Sequence, residues 1–267
     1  MLELRSISKT FNAGTINEKK ALVNVSLKLN DGDFCTVIGG NGAGKSTVMN
    51  AVAGVWPVDS GQILIGGEDV SALPEFKRAA YFGRVFQDPM TGTAGDMQID
   101  ENMALAARRG QRRTLRWGVG KKEEGEYREL LKKLDLGLED RMSSKVGLLS
   151  GGQRQALTLL MATMNPPKLL LLDEHTAALD PGTAEKVLNL TRRIVEEHQL
   201  TCLMITHNMN SALELGNRIL MMDSGNIVLN IGGEEKKNMT VEGLLEKFRI
   251  GAGKALDNDR ILLSGDK

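Results

Sequence analysis

A glycine-rich stretch early in the chain has the residue types and spacing of a loop that binds phosphate. It follows an apolar run, Phe34 to Ile38, and reads Gly39-Gly40-Asn41-Gly42-Ala43-Gly44-Lys45-Ser46-Thr47. Glycines let backbone N–H groups converge on an anion, and a helix opening at Lys45 adds its positive dipole end. Lys45 would hold the β- and γ-phosphates, and the Ser46 hydroxyl would ligate Mg²⁺. A strand-to-helix turn without a ligand is the alternative, which the Lys-Ser pair disfavours.

A second glycine pair stands further along, in Leu149-Ser150-Gly151-Gly152-Gln153. Ser150 and Gln153 are spaced as in a capping box at a helix start, and a cap without a ligand is the simpler interpretation. Capping alone does not require two glycines in the first helical turn, where each costs about 1 kcal/mol relative to alanine. A close approach of the helix start to an anion would explain them. We therefore expect a second half-site for a phosphate group here.

Together the two stretches resemble the phosphate loop and the signature motif of ABC-transporter ATPases, and the resemblance covers nearly the whole chain up to about Ile231. It implies a head-to-tail dimer in which the phosphate loop of one protomer and the signature of the other enclose each ATP. The resemblance also assigns a nucleotide contact to Ser150, Gly151, Gly152, Gln153 and, in the D-loop between the two ATP sites, Asp180. Phe11 matches the aromatic that stacks on adenine, although a phenylalanine after a strand is just as readily a core residue.

A run of leucines ending in two carboxylates, Lys168 to Glu174, is typical of a parallel strand buried on both faces. By resemblance it is the Walker B strand. The family pattern then makes Asp173 a Mg²⁺ partner and Glu174 the residue that orients and polarises the attacking water. Without the phosphate loop, the same run would be a core strand with acidic residues at its exit.

Two polar residues at predicted strand ends match further family positions. Gln87 follows Arg84-Val85-Phe86 and matches the glutamine that senses Mg²⁺ and the attacking water. His207 follows Cys202 to Thr206 and matches the histidine that contacts the γ-phosphate. Each has a simpler interpretation, as a strand-terminal amide and as a structural histidine, and their order around Glu174 favours the family roles.

The chain departs from the family pattern at two positions, where His175 replaces the usual proline and Ala177 the usual serine. His175 adjoins Glu174, which would suggest a second general base. Adjacent residues that leave a strand point in opposite directions, so Glu174 remains the predicted catalytic residue. We expect His175 to be a loop residue.

The composition limits the classes of function. The 267 residues are 41% hydrophobic, enough for one large two-lobed α/β domain, and 34 basic residues balance 34 acidic ones. No net charge draws the chain to nucleic acid or to a membrane surface. Cys35 and Cys202 suit small buried thiols in a reducing compartment. No apolar run reaches the roughly 18–20 residues that span a bilayer, so transport would need membrane partners.

The predicted fold class is α/β: a P-loop NTPase (RecA-like) core, a small antiparallel β subdomain over the nucleotide and an inserted helical subdomain. We expect the antiparallel sheet from residues 2–7, 22–29 and 62–65, and a hairpin around Ser224-Gly225. The predicted divisions are 1–87 (core with the antiparallel sheet), 88–162 (helical signature subdomain), 163–231 (rest of the core) and 232–267 (C-terminal extension). That extension should hold one amphipathic helix, from about Thr240 to Phe248, and a loosely held tail.

Basic residues crowd one part of the predicted helical subdomain around Trp117: Arg108, Arg109, Arg112, Arg113, Arg116, Lys121 and Lys122. A solvated basic face is the first interpretation. The second is a surface that faces anionic lipid or the cytoplasmic loops of a membrane partner.

The resemblance implies an ATPase that energises transport, with import favoured because separate cassette chains are more usual in prokaryotic importers. The implied partners are a second ATPase protomer, integral membrane permease subunits and a solute-binding protein, with no nucleic acid. The implied location is the cytoplasmic face of the cell membrane. Asp173 to Pro181 and the arginines resemble systems thought to import amino acids or similar solutes. Alternatives are a soluble non-transport ABC-type ATPase, a single-site P-loop enzyme such as a kinase, and a purely structural dimerisation module.

Overall fold

The computed structural model describes residues 1–111 and 118–252. Its strands are β1 (Leu2–Phe11), β2 (Lys19–Leu29), β3 (Phe34–Ile38), β4 (Ser60–Ile65), β5 (Glu68–Asp69), β6 (Phe82–Val85), β7 (Leu169–Asp173), β8 (Cys202–Ile205), β9 (Arg218–Asp223) and β10 (Asn226–Gly232). Its α-helices are α1 (Lys45–Ala53), α2 (Glu75–Arg78), α3 (Ile99–Ala107), α4 (Lys121–Lys132), α5 (Gly151–Thr163), α6 (Pro181–Glu197), α7 (Met209–Glu214), α8 (Gly233–Lys237) and α9 (Val241–Ala252).

A six-stranded sheet in the order β10-β9-β3-β8-β7-β6 forms the centre of the molecule. The strands from β9 to β6 are parallel, and only β10 runs antiparallel, as the partner of β9 in a hairpin. The apolar runs of β3, β7 and β8 are buried almost throughout, because helices and the second sheet cover both faces. This confirms the predicted α/β class.

A four-stranded antiparallel sheet, β2-β1-β4-β5, lies beside the central one. Its apolar side chains share one core cluster with β3, β7, β8 and α1, as the alternation of buried and exposed residues along β2 requires. The antiparallel sheet was predicted from its three longer strands and is confirmed.

Helices α3, α4 and α5 and the neighbouring α6 bury a second cluster against the other face of the central sheet, including Met103, Tyr127, Leu131 and Leu157. The predominantly helical character predicted for this part of the chain is confirmed in its described residues. The boundaries proposed at residues 87, 162 and 231 stay predictions.

The C-terminal residues in the described range pack onto the edge of the central sheet. The β9–β10 hairpin turns at Ser224 and Gly225, whose φ values of 48° and 79° are those of a type I′ turn. Helix α9 covers the hairpin with Leu244 and Phe248. Both elements were predicted and are confirmed, whereas the predicted tail beyond residue 252 lies outside the described residues.

Of the four described members of the predicted basic patch, Arg108 and Arg109 are engaged within the fold, whereas Lys121 and Lys122 are exposed at the start of α4. Arg109 donates to the carbonyls of Ala162 and Asn165, at 3.1 and 2.8 Å, and so satisfies the C-terminal end of α5; its burial lowers its pKa. Arg108 pairs with Glu123 at 3.0 Å. The remaining members Arg112, Arg113 and Arg116, together with Trp117, lie outside the described residues.

Both cysteines are fully buried with free thiols, as predicted, and burial raises the pKa of Cys35 to about 12. Across residues 1–111 and 118–252, every helix is too short or too polar to cross a membrane.

Candidate functional site

The glycine-rich loop between β3 and α1 opens onto a pocket of about 310 Å³. The pocket gathers these predicted residues from distant parts of the sequence: Phe11, Asn41, Gly42, Ala43, Gly44, Lys45, Ser46, Thr47, Glu174 and His207. Lys19, Ala21 and Trp56 also line it and were not predicted. The first two lie on β2, and Trp56 follows α1.

Two loop glycines are fixed by close contacts with backbone. Gly39 has φ 148°, and a Cβ there would lie 2.2 Å from the carbonyl oxygen of Met222. Gly44 has φ 105°, and its Cβ would lie 2.8 Å from the carbonyl oxygen of Ala21. Gly44 is also the N-cap of α1 and has no side chain to cap the helix. The first N–H groups of α1 are therefore left to a ligand in the pocket, which makes the helix start an anion site.

Lys45 is held against the loop that it follows. Its Nζ donates to the carbonyls of Gly39 at 2.8 Å and Gly40 at 3.1 Å, and only 6% of the residue is exposed. Burial lowers the pKa of the ammonium, while the nearby charges of Glu174 and Asp173 oppose that shift. Because Lys45 lines the pocket, a bound phosphate would lie close to its ammonium and add negative charge that favours the charged form.

Glu174 and His207 leave neighbouring parallel strands at the same edge of the sheet. The Glu174 N–H donates to the carbonyl of Ile205 at 3.1 Å, which carries the β7–β8 ladder one residue beyond the strand. Glu174 then adopts φ 46°, a sparsely populated conformation that is common at functional sites. Its Oε1 lies 2.6 Å from His207 Nε2. A carboxylate and an imidazole thus meet beside the phosphate loop.

Asp173 and Gln87 are outside the lining of the pocket. Asp173 instead pairs with Arg84 Nη2 at 3.3 Å, and the same nitrogen donates to Asn50 Oδ1 at 2.9 Å. Gln87 is exposed beyond the end of β6. Their roles at Mg²⁺ stay predictions.

Phe11 and Trp56 together form an aromatic wall of the pocket. The Phe11 ring meets Trp56 edge to face, with centroids 4.9 Å apart and planes at 81°. Lys9 Nζ lies 5.7 Å from the Phe11 centroid and pairs with Asp59 at 2.9 Å. An aromatic edge of this kind suits a nucleobase. The only signal for Trp56 in the sequence was an aromatic residue soon after the helix that follows the glycine loop.

The signature residues form the predicted capping box at the start of α5. Gln153 N donates to Ser150 Oγ at 3.3 Å, and Ser150 N donates to Gln153 Oε1 at 3.2 Å. A Cβ on Gly152 would lie 2.1 Å from Thr183 Cγ2 on α6, so this glycine has a packing reason that the sequence did not reveal. Ser150 and Gly151 are exposed, and no residue of 149–153 lines the pocket at the phosphate loop.

Asp180 is the N-cap of α6. Its Oδ1 accepts from Thr183 N at 3.0 Å. Hydrogen bonding to the Thr183 side chain, and then to this N–H, lowers the pKa of the carboxyl. Pro181 occupies the first helical position, as predicted. A contact between Asp180 and a second ATP site stays a prediction.

His175 turns away from the pocket, as the alternation along an extended chain predicts. It is 1% exposed, and its Nε2 lies 3.0 Å from Thr191 Oγ1 on α6. Thr191 donates its own proton to the carbonyl of Val187, so His175 Nε2 is the donor to Thr191. Burial lowers the pKa of His175 to about 4. His175 is therefore a neutral residue of the core that connects its loop to α6 through Thr191. The sequence had predicted only a loop residue.

Residues 22–177, more than half of the chain, match the family model described as ABC transporter. The chain belongs to this family. It is 42% identical over 248 residues to the tyrosine transport ATP-binding protein of Clostridioides difficile (strain R20291), a match that covers 93% of this chain and 98% of the relative. It is 32% identical to the methionine import ATP-binding protein MetN of Clostridium acetobutylicum, over 89% of this chain and 73% of the relative.

Solved ABC cassettes share the fold. A dimeric cassette in a post-hydrolysis state with ADP and Pi has a TM-score of 0.74 and 28% identity, over 87% of this chain and 98% of the solved one. These findings confirm the predicted family, the P-loop NTPase fold and the function of an ATP-binding, ATP-hydrolysing transporter subunit. The single-site P-loop enzyme and the structural module are excluded.

Proposed function

We propose that the chain hydrolyses ATP at two composite sites of a head-to-tail dimer and so drives the import of an amino acid or a similar small solute. The observation that carries the proposal is the separation of the two half-sites. The phosphate loop, Glu174 and His207 share one pocket, whereas the exposed start of α5 at Ser150 and Gly151 lies outside it. A second copy would supply the missing wall.

Within each site, Lys45 and the N–H groups at the start of α1 bind the β- and γ-phosphates. Glu174 orients and polarises the attacking water as it meets the γ-phosphate. His207, 2.6 Å from Glu174, holds that carboxylate and contacts the γ-phosphate. The nucleobase stacks at the aromatic wall, on the side of Phe11. Ser150, Gly151, Gly152 and Gln153 of the partner copy complete the enclosure, and Asp180 lies between the two sites.

The oxygen groups available suit Mg²⁺, which prefers hard ligands and retains water. The Ser46 hydroxyl is exposed at the pocket, and the Asp173 carboxylate is close enough to influence the pKa of Lys45. We assign these two groups to the metal, with Gln87 joining after a movement of its exposed segment. Bound Mg²⁺ would neutralise charge on the phosphates. To bind the metal directly, Asp173 would give up its contact with Arg84. Otherwise it would contact the metal through a water ligand.

The catalytic assignment is tested by Glu174→Gln. This variant should retain ATP and accumulate dimers, because binding closes the dimer and the loss of the carboxylate stops its reopening. Light scattering with and without ATP measures the dimers, and phosphate release measures turnover. Ser150→Arg in the Glu174→Gln background is the matched control, since it obstructs the partner's half-site and should abolish the ATP-dependent dimer. Normal turnover by Glu174→Gln would contradict the assignment.

The proposed partners are integral membrane permease subunits and a solute-binding protein, with the ATPase on the cytoplasmic face of the membrane. Support comes from the names of the two relatives, which are a tyrosine transport protein and a methionine import protein. Affinity purification from detergent-solubilised membranes, followed by mass spectrometry, should recover multi-span subunits with the chain. Recovery of the chain only from the soluble fraction, without such subunits, would contradict the proposed partners.

A further inference from the structure

Lys19 places a second positive charge at the ATP pocket. It is the first residue of β2 and stands opposite Phe11 in the antiparallel register of β1 and β2. Lys19 and Ala21 both line the pocket, since residues two apart on a strand share a face. Lys20, between them, belongs to the other face and is not part of the lining.

The Lys19 ammonium lies beside the phosphate loop. A Cβ built on Gly42 would be 3.4 Å from Lys19 Nζ, so the amine stands beside the backbone that is to bind phosphate. Phe11, its cross-strand neighbour, belongs to the aromatic wall. Lys19 thus bridges the gap between the base side and the phosphate side of the pocket.

The charge of Lys19 is free to act on a ligand. Two other lysines stand close by, and both are engaged: Lys45 with the carbonyls of Gly39 and Gly40, and Lys9 with Asp59. Within the part of the chain that the structure describes, no hydrogen bond or ion pair holds the Lys19 ammonium. Its exposed position lets the flexible side chain follow a phosphate chain of variable position.

We propose that Lys19 binds the phosphate chain of the nucleotide beside Gly42, in addition to Lys45, and so contributes to nucleotide affinity. This inference rests on the proposed assignment of the pocket to ATP. An exposed ion pair contributes up to about 1 kcal/mol, which corresponds to about fivefold in affinity.

The test compares Lys19→Gln with Lys20→Gln, which removes the same charge one position away on the other face. ADP binding without Mg²⁺, measured by calorimetry, should weaken about fivefold in Lys19→Gln and stay within about twofold of wild type in Lys20→Gln. Lys19→Arg should retain the affinity, because it keeps the charge. The affinity of Lys19→Gln should also fall less steeply with added salt than that of the wild type.

Adenosine binding, followed by ligand-observed NMR, separates a phosphate contact from a contact with the nucleoside. It should be equal in wild type and Lys19→Gln. Unchanged ADP affinity in Lys19→Gln, or an equal loss for adenosine and ADP, would overturn the inference. Lys45→Ala distinguishes this failure from a failure of the pocket assignment. Lys45→Ala should lose ADP binding whatever Lys19 does, and wild-type protein that binds no nucleotide would refute the assignment itself.

Discussion

At the scale of single residues, Glu174 and His175 both follow the end of β7, but their side chains serve different purposes. Glu174 faces the pocket and meets His207, whereas His175 is buried against α6 through Thr191. His175 Nδ1 has no hydrogen-bond partner among the described residues. The neutral imidazole therefore fits this place in the core, and a proton on it would have no stabilising neighbour.

We expect His175 to make the stability of the protein depend on pH. Its pKa is lowered from 6.5 to about 4, so between these values the unfolded chain binds more protons than the native one. The stabilising contribution is complete above about pH 6.5 and declines as the pH falls toward 4. Urea unfolding of the nucleotide-free protein at pH 7.5 and 4.5 should show that His175→Gln loses less stability than the wild type, by on the order of 2 kcal/mol.

His198→Gln is the control for that measurement, since His198 is an exposed histidine at the end of α6. It should follow the wild-type dependence on pH. If His175→Gln follows it as well, the buried neutral state assigned to His175 is wrong.

At the scale of elements, the contact between α5 and α6 decides how closely the signature can approach another surface. Gly152 is buried where α6 passes, and Gly151 is exposed with Leu179 Cδ2 3.3 Å from its Cβ position. The two positions therefore require glycine for different reasons. Gly152 permits the helices to pack, and Gly151 is free to face a ligand.

Gly152→Ala should lower the free energy of unfolding by about 1–3 kcal/mol, because its methyl group would overlap Thr183 Cγ2. Chemical denaturation measures the change. Gly151→Ala is the matched control and should cost less stability.

Thr183→Ser removes the overlapping Cγ2 and keeps the N–H that Asp180 caps, so adding it to Gly152→Ala should restore much of the lost stability. If the double variant regains stability without regaining ATPase activity, Gly152 also serves the approach to ATP. If the second substitution restores no stability, the packing explanation is incorrect.

At the scale of the whole molecule, the protein presents two incomplete binding surfaces. One is the pocket at the phosphate loop, and the other is the exposed start of α5. A symmetric pair of chains in head-to-tail orientation satisfies both at once, since each copy gives and receives the same contact.

Mixing two inactive variants tests this arrangement. Lys45→Ala disables the phosphate loop, and Ser150→Arg disables the signature, so each homodimer lacks both sites. An equimolar mixture forms heterodimers with one intact site, and independent sites would give about a quarter of the wild-type rate. ATP hydrolysis is the readout. Activity of Ser150→Arg alone at the wild-type rate would contradict the composite site.

The sequence by itself determined the elements whose cause is local. Glycine spacing requires an anion loop after β3, Ser150 and Gln153 require a helix start, and the leucines before Asp173 require a buried strand. Each follows from backbone chemistry or from a periodicity within a few residues. The helix start and the buried strand are confirmed, and the glycine loop lies between β3 and α1 as expected, while its binding of an anion stays a prediction. The resemblance to a family then supplied the expected roles of these residues.

Only the tertiary structure decided which side chains from distant segments meet. Lys19 and Trp56 join the pocket because β2 and the end of α1 pass beside the phosphate loop. Gly152 likewise contacts Thr183, and Arg84 forms an ion pair with Asp173, because the elements that carry these residues pack together. A contact between residues far apart in sequence depends on how helices and sheets pack, and packing is set by the shapes of whole surfaces, which no local pattern contains.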